Sequence, residues 1–141
     1  MSTIEDDLQS ALVELIDLSL QAKQAHWNVT GPNFRSLHQQ LDEMTDQYRD
    51  WYDLVAERLR ALAVFPDGRP GVVAVQGLER LMAGELHAED VLMYFSRRLG
   101  TTADGLRGRI ANCGNDLATQ NIYIEVLAGI DKQRWMIRAS M

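Results

Sequence analysis

The imidazole and carboxylate side chains that could bind a metal ion form two pairs on one stretch of the chain. His38 and Asp42 are four residues apart, and so are Asp53 and Glu57. Residues four apart on a helix lie on the same face, so each pair could offer two ligands to one ion. The pattern predicts a metal site, although the solvated face of an acidic helix would carry similar carboxylates.

The two pairs cannot bind the same ion within one straight helix. Eleven residues separate Asp42 from Asp53, about 16 Å along the helix axis, whereas ligand atoms approach an ion to about 2–2.5 Å. Two copies of the helix, packed antiparallel about a two-fold axis, would bring the first pair of one chain to the second pair of the other. His26, which precedes a Gly-Pro reversal, can join the first pair.

The elements that must position these residues are predicted to be helices. The first helix begins at a capping box of Ser2 and Glu5 and ends before Gly31-Pro32. The remaining segments are a second helix from about Phe34 to about Ala63, a short crossover helix within Val72 to Met82, a third helix from Glu85 to about Ala111, and a fourth from Thr119 to about Arg138 capped by Thr119 or Asn121. With no strand pattern, residues 1–141 are expected to form one all-α domain, a four-helix bundle with one long crossover connection.

The second helix has an apolar seam with alternating steps of three and four residues. Its members are Leu37, Leu41, Met44, Tyr48, Trp51 and Val55. At about 100° per residue, the two metal-binding pairs fall on the opposite side of the helix from this seam. The helix is therefore expected to bury one face and to present its candidate ligands on the other.

The chain is acidic, and the acidity lies where the candidate ligands are. Of the net charge of −6, residues 1–57 contribute three Lys or Arg against eleven Asp or Glu, and residues 58–141 contribute eleven against nine. Such a chain attracts cations rather than nucleic acid. A single cysteine, Cys113, excludes an internal disulfide framework, and there is neither a signal-peptide pattern nor an apolar run of about 18 residues. We expect an intracellular, cytoplasmic protein without a membrane segment.

Several other chemistries lack their motifs. There is no Cys-x-x-Cys, His-Glu-x-x-His, phosphate-binding loop or Gly-x-Ser-x-Gly. No histidine has a glutamate three residues before it, the pairing typical of a metal site inside a single bundle. His87 lies on the third predicted helix, apart from the candidate metal ligands, and we interpret its role as structural.

The spacing of these residues resembles the Dps family, the ferritin-like miniferritins of bacteria. The pattern His-Trp-Asn-Val-x-Gly-x-x-Phe starts at His26, and Leu37-His38, Asp42-Glu43 and Asp53-x-x-Ala-Glu-Arg follow at matching intervals. The resemblance covers essentially the whole chain. It implies a hollow homododecamer built from two-fold dimers, with a ferroxidase centre at each dimer interface and ferric mineral stored in the cavity.

The resemblance also assigns roles to single residues. It implies that a two-iron centre is bound by His26, His38 and Asp42 of one subunit with Asp53 and Glu57 of its mate, and that hydrogen peroxide is the oxidant. Zinc or manganese could bind the same ligands. Trp27 resembles a tryptophan near the site in the family, either a sacrificial electron donor or simple packing at the dimer interface. Asp116, Asn121 and Glu125 are candidates for an acidic pore, and Trp135 is expected in the core.

Two alternatives to iron oxidation and storage remain open. A nucleoid-associated protein that protects DNA would need a basic surface, and relatives often supply it with a basic tail. Nothing basic precedes Lys23, so we expect weak or absent DNA binding, and we interpret the cluster of Arg97, Arg98, Arg107 and Arg109 as solvated or ion-paired. A metal-dependent hydrolase on the same cage is the second alternative, because the ligands could hold zinc that activates water.

Overall fold

Four long helices and one short helix account for most of residues 2–141, the part of the chain that this computed structural model describes. The elements are α1 (Ile4–Asn28), β1 (Val29–Thr30), α2 (Phe34–Ala61), α3 (Pro70–Ala74), β2 (Leu86–His87), α4 (Ala88–Asn112) and α5 (Leu117–Ala139). Helix α1 packs mainly against α2, and α4 packs mainly against α5. The predicted four-helix bundle with a long crossover between the second and third long helices is confirmed.

The apolar seam of α2 lies in the core, as predicted. All six of its members are buried, and Leu41, Tyr48 and Val55 are fully so. Gly129 of α5 faces Trp51, and a Cβ atom at that glycine would lie 2.2 Å from the indole ring. The absence of a side chain therefore lets α5 approach the middle of α2, the helix that carries both candidate ligand pairs.

Helix α1 begins one residue later than the sequence predicted. The capping residue is Thr3, whose Oγ1 accepts a hydrogen bond from the Asp6 amide at 3.0 Å, while Asp6 Oδ2 accepts from the Thr3 amide at 3.2 Å. The proposed box of Ser2 and Glu5 was wrong, because the Ser2 hydroxyl instead donates to Asp7. Both boxes have the same spacing, and the sequence did not distinguish them.

Helix α5 begins two residues earlier than predicted, and neither Thr119 nor Asn121 caps it. Asp116 is the cap: its carboxylate accepts hydrogen bonds from the Thr119 amide at 3.1 Å and the Thr119 hydroxyl at 2.7 Å. Arg58 of α2 adds an ion pair at 3.1 Å. These hydrogen bonds from Thr119, with the Arg58 charge, hold the pKa of Asp116 below its ordinary value. The end of α2 is thereby joined to the start of α5.

The crossover contains the predicted short helix and also a strand that was not predicted. Helix α3 spans Pro70–Ala74, so it begins two residues before the predicted range of Val72 to Met82 and ends near the start of that range. Val29–Thr30 and Leu86–His87 pair as short parallel strands, which delays the start of α4 from Glu85 to Ala88. Two-residue strands are too short to leave an alternating pattern in a sequence.

Trp135 was predicted in the core, but 65% of its surface is exposed. It lies on the outer face of α5, beside Asp131, Arg134 and Arg138. In the sequence, a tryptophan on a partly apolar helix resembles a core residue. Whether it is buried depends on which face of the helix it occupies. No helix among residues 2–141 has the length and apolar character needed to cross a membrane.

Candidate metal centre

His26 and His38 lie face to face where α1 and α2 meet. Their ring centroids are 3.7 Å apart, and the ring planes differ by 11°. His26 Nδ1 lies 2.7 Å from the backbone oxygen of His38, and His38 Nδ1 lies 2.6 Å from that of His26. A carbonyl oxygen can only accept a hydrogen bond, so each Nδ1 donates, which leaves each Nε2 available to a metal ion.

Two local features hold the histidine pair in place. Phe34, at the start of α2, stacks on the His38 ring with centroids 5.1 Å apart. The chain between the two helices reverses at Gly31, whose φ of +111° favours glycine. The Gly-x-x-Phe part of the motif therefore has a structural role: Gly31 allows the chain to reverse direction, and Phe34 supports the imidazole of His38.

Asp42 lies one helical turn beyond His38 and lines the same open depression of about 590 Å³ as the two histidines. Its Oδ1 accepts a hydrogen bond from Lys23 Nζ. This hydrogen bond, with the Lys23 charge, lowers the pKa of Asp42. Lys23 was not among the predicted site residues, although its position three residues before His26 on α1 was a signal that could have identified it.

Asp53 and Glu57 lie near the far end of α2, where both side chains are exposed. Hydrogen bonding to Asp53, and then the like charge of that carboxylate, raises the pKa of Glu57. Two carboxylates in this relation are stabilised by a shared cation. The neighbouring Arg58 donates hydrogen bonds to Asp116 and Thr119, and these bonds hold this end of α2 against the start of α5.

Neither ligand group is a complete metal site in one chain. Within residues 2–141, no three His, Cys, Asp or Glu side chains are grouped so that they could hold a metal ion. The structure brings His26, His38 and Asp42 to one depression and leaves Asp53 and Glu57 on another part of α2. Such a division suits a centre assembled from two chains, in which imidazole nitrogens of one meet carboxylates of the other.

The other predicted residues lie outside this depression. His87 forms part of β2 with an exposed side chain. Trp27 follows His26 and is 66% exposed. Of the pore candidates, Asp116 accepts hydrogen bonds from Arg58 and Thr119, whereas the side chains of Asn121 and Glu125 are exposed.

Comparisons with known proteins agree with this fold over nearly the whole chain. Residues 5–141 match the ferritin-like domain. The fine tangled pili major subunit of Haemophilus ducreyi is 31% identical over 98% of this chain and 74% of its own length. DNA protection during starvation protein 2 of Deinococcus radiodurans is 34% identical over 94% of this chain, which spans 56% of that relative.

A solved structure gives the same result in three dimensions. The crystal structure of Dps92 from Deinococcus radiodurans superposes with a TM-score of 0.93 and 33% identity, covering 96% of this chain and 84% of that one. The resemblance seen in the motif from His26 to Phe34 therefore extends to the entire bundle. The chain belongs to the Dps family of ferritin-like proteins.

Proposed function

We propose that this protein is a ferroxidase that oxidises Fe(II) with hydrogen peroxide and stores the ferric product in a dodecameric cage. The observation that carries the proposal is the histidine pair, whose reciprocal hydrogen bonds leave both Nε2 atoms free at a depression shared with Asp42. Asp53 and Glu57 of a second subunit would complete each centre across a two-fold interface. We place this activity in the bacterial cytoplasm.

The ligand types suit the substrate. Imidazole nitrogen binds ferrous iron well, and carboxylate oxygen stabilises the ferric product. Two ferrous ions give two electrons to one peroxide, and with two protons the products are two ferric ions and two water molecules. Because both electrons reach the same peroxide, no hydroxyl radical has to be released. Zinc or manganese could occupy the same ligands, and zinc, which has no redox chemistry, would not be oxidised by peroxide.

The proposal is tested by following Fe(II) oxidation by peroxide in the wild-type protein and in His38→Ala and Asp53→Ala. We expect the rate to fall about 100-fold or more in each variant, because losing a ligand costs at least as much as losing a supporting hydrogen bond. His87→Ala is the matched control and should oxidise iron at the wild-type rate. Equal rates in all four proteins would contradict the proposal.

Trp27 is proposed as a sacrificial electron donor beside the centre. Its indole is 66% exposed in one chain and adjoins His26 in sequence. Trp27→Phe keeps an apolar ring for packing but removes the readily oxidised indole. We expect protein radical signals to change under excess peroxide while assembly is retained. Unchanged oxidation kinetics and radical products would assign Trp27 to packing alone.

Direct DNA binding is proposed to be weak, because the arginines of the predicted basic cluster are already paired. The pairs are Arg97 with Glu79 at 2.5 Å, Arg98 with Asp17 at 2.7 Å, Arg107 with Asp131 at 3.1 Å, and Arg109 with Glu14 at 2.8 Å. Phosphate contacts would have to compete with these carboxylates on an acidic protein. We expect no retarded DNA band at about 150 mM salt without divalent metal, and a clear sequence-independent complex would refute this.

A further inference from the structure

Lys23 places a positive charge against Asp42, a carboxylate of the imidazole half of the candidate metal centre. Its Nζ donates to Asp42 Oδ1, and its side chain is only 25% exposed in a single chain. The chain has just two lysines, and the other, Lys132, is exposed on α5. Lys23 is therefore a cation in contact with one candidate metal ligand, and a bound metal would compete with it for the Asp42 carboxylate.

The surface around Lys23 is apolar and exposed, as expected of an interface. Leu20 lies three residues before Lys23 and Trp27 four residues after it, so both share its face of α1. They are 58% and 66% exposed. Large apolar side chains grouped beside a polar centre mark a surface that a partner covers. In the proposed two-fold dimer, covering this face would also remove water from Lys23 and Asp42.

Without metal, the centre formed by two chains at the two-fold interface would bury more negative than positive charge. It would combine Asp42 of one chain with Asp53 and Glu57 of the partner subunit, three carboxylates beside two imidazoles. Removing uncompensated carboxylates from water is strongly unfavourable, so a metal-free interface needs a cation from the protein itself.

We propose that Lys23 is the resident cation that allows the two-fold interface to assemble before metal is loaded. This inference rests on the proposed function, since it uses the same shared centre. Once a divalent ion binds, the ion supplies the positive charge and Lys23 is no longer needed for assembly. Lys23 thus acts as a positioning residue for the empty centre and is not a catalytic residue.

The test compares assembly of the wild-type protein, Lys23→Gln and Lys132→Gln by analytical ultracentrifugation in EDTA and again with Zn²⁺. We expect the dissociation constant of the two-fold dimer in EDTA to rise at least about tenfold in Lys23→Gln. Zn²⁺, which peroxide does not oxidise, should restore assembly. Lys132→Gln changes the net charge equally and should assemble as the wild type does in both conditions.

A second variant separates charge from packing. Lys23→Gln combined with Asp42→Asn removes one positive and one negative charge, so we expect it to assemble in EDTA more tightly than Lys23→Gln alone. The proposal fails if Lys23→Gln assembles normally in EDTA, if both lysine variants lose assembly equally, if Zn²⁺ does not restore it, or if the double variant is no better. Iron oxidation by the wild-type protein reports separately on the proposed function.

Discussion

Cages assembled from a mixture of His38→Ala and Asp53→Ala chains should recover about a quarter of the wild-type ferroxidase activity, although each variant alone should be nearly inactive. The reason lies in the proposed division of each centre between two chains. In a mixed dimer, one centre receives both defective halves, and the other receives the intact imidazole half of one chain and the intact carboxylate half of its mate.

The expected value follows from random pairing. Equal amounts of the two variants would make about half of the dimers mixed, and each mixed dimer would have one intact centre of two, so about a quarter of all centres are intact. Co-expression, or joint refolding of the two purified variants, would produce the mixed cages. The initial rate of Fe(II) oxidation by peroxide, normalised to protein, then measures the recovery.

A matched control mixes His38→Ala with His26→Ala. Both substitutions damage the same half of the centre, so every centre in every dimer lacks one imidazole, and no activity should return. Recovery in the first mixture and not in the second would identify a centre shared between chains. A centre contained within one chain would give no recovery in either mixture, which would contradict the proposed two-fold arrangement.

The sequence predicted the main elements of this arrangement for physical reasons that act locally. A seam of alternating three- and four-residue steps is strong on a helix as long as α2, and Leu41, Tyr48 and Val55 are fully buried as that period requires. The same geometry placed Asp53 and Glu57 on the exposed side. Separation along one rigid helix was enough to predict that a single chain could not complete the site.

Features that depend on contacts between distant segments were not predictable in this way. The reciprocal hydrogen bonds of His26 and His38 depend on how α2 is placed against α1 after the reversal at Gly31, and residue spacing does not determine that placement. The Lys23 contact with Asp42 joins two helices. Likewise, Asp116 caps α5 through Thr119 and also contacts Arg58, which lies 58 residues earlier in the chain.

Breaking the buried ion pair between Asp17 and Arg98 should produce the largest loss of stability. Their side chains are 7% and 4% exposed, and Arg98 Nη1 lies 2.7 Å from Asp17 Oδ2. Arg98 also donates to the Glu79 carbonyl at 3.0 Å and to the Tyr94 hydroxyl at 3.0 Å, while Tyr94 donates to the same carbonyl at 2.7 Å. The pair therefore holds the irregular part of the crossover against α1 and α4.

Asp17→Ala or Arg98→Met alone should lower the free energy of unfolding by about 3–5 kcal/mol, because each leaves one charge buried without its partner. The double variant Asp17→Leu with Arg98→Met should lose clearly less than the sum of the two, since no charge remains to be buried. Urea unfolding at one fixed protein concentration measures these values, and the fixed concentration matters because assembly stabilises the folded state.

The exposed pair of Arg107 and Asp131 is the control, and Arg107→Met should lower the free energy of unfolding by at most about 1 kcal/mol. Additive losses at Asp17 and Arg98 would show that the two charges do not compensate each other, which would contradict the prediction.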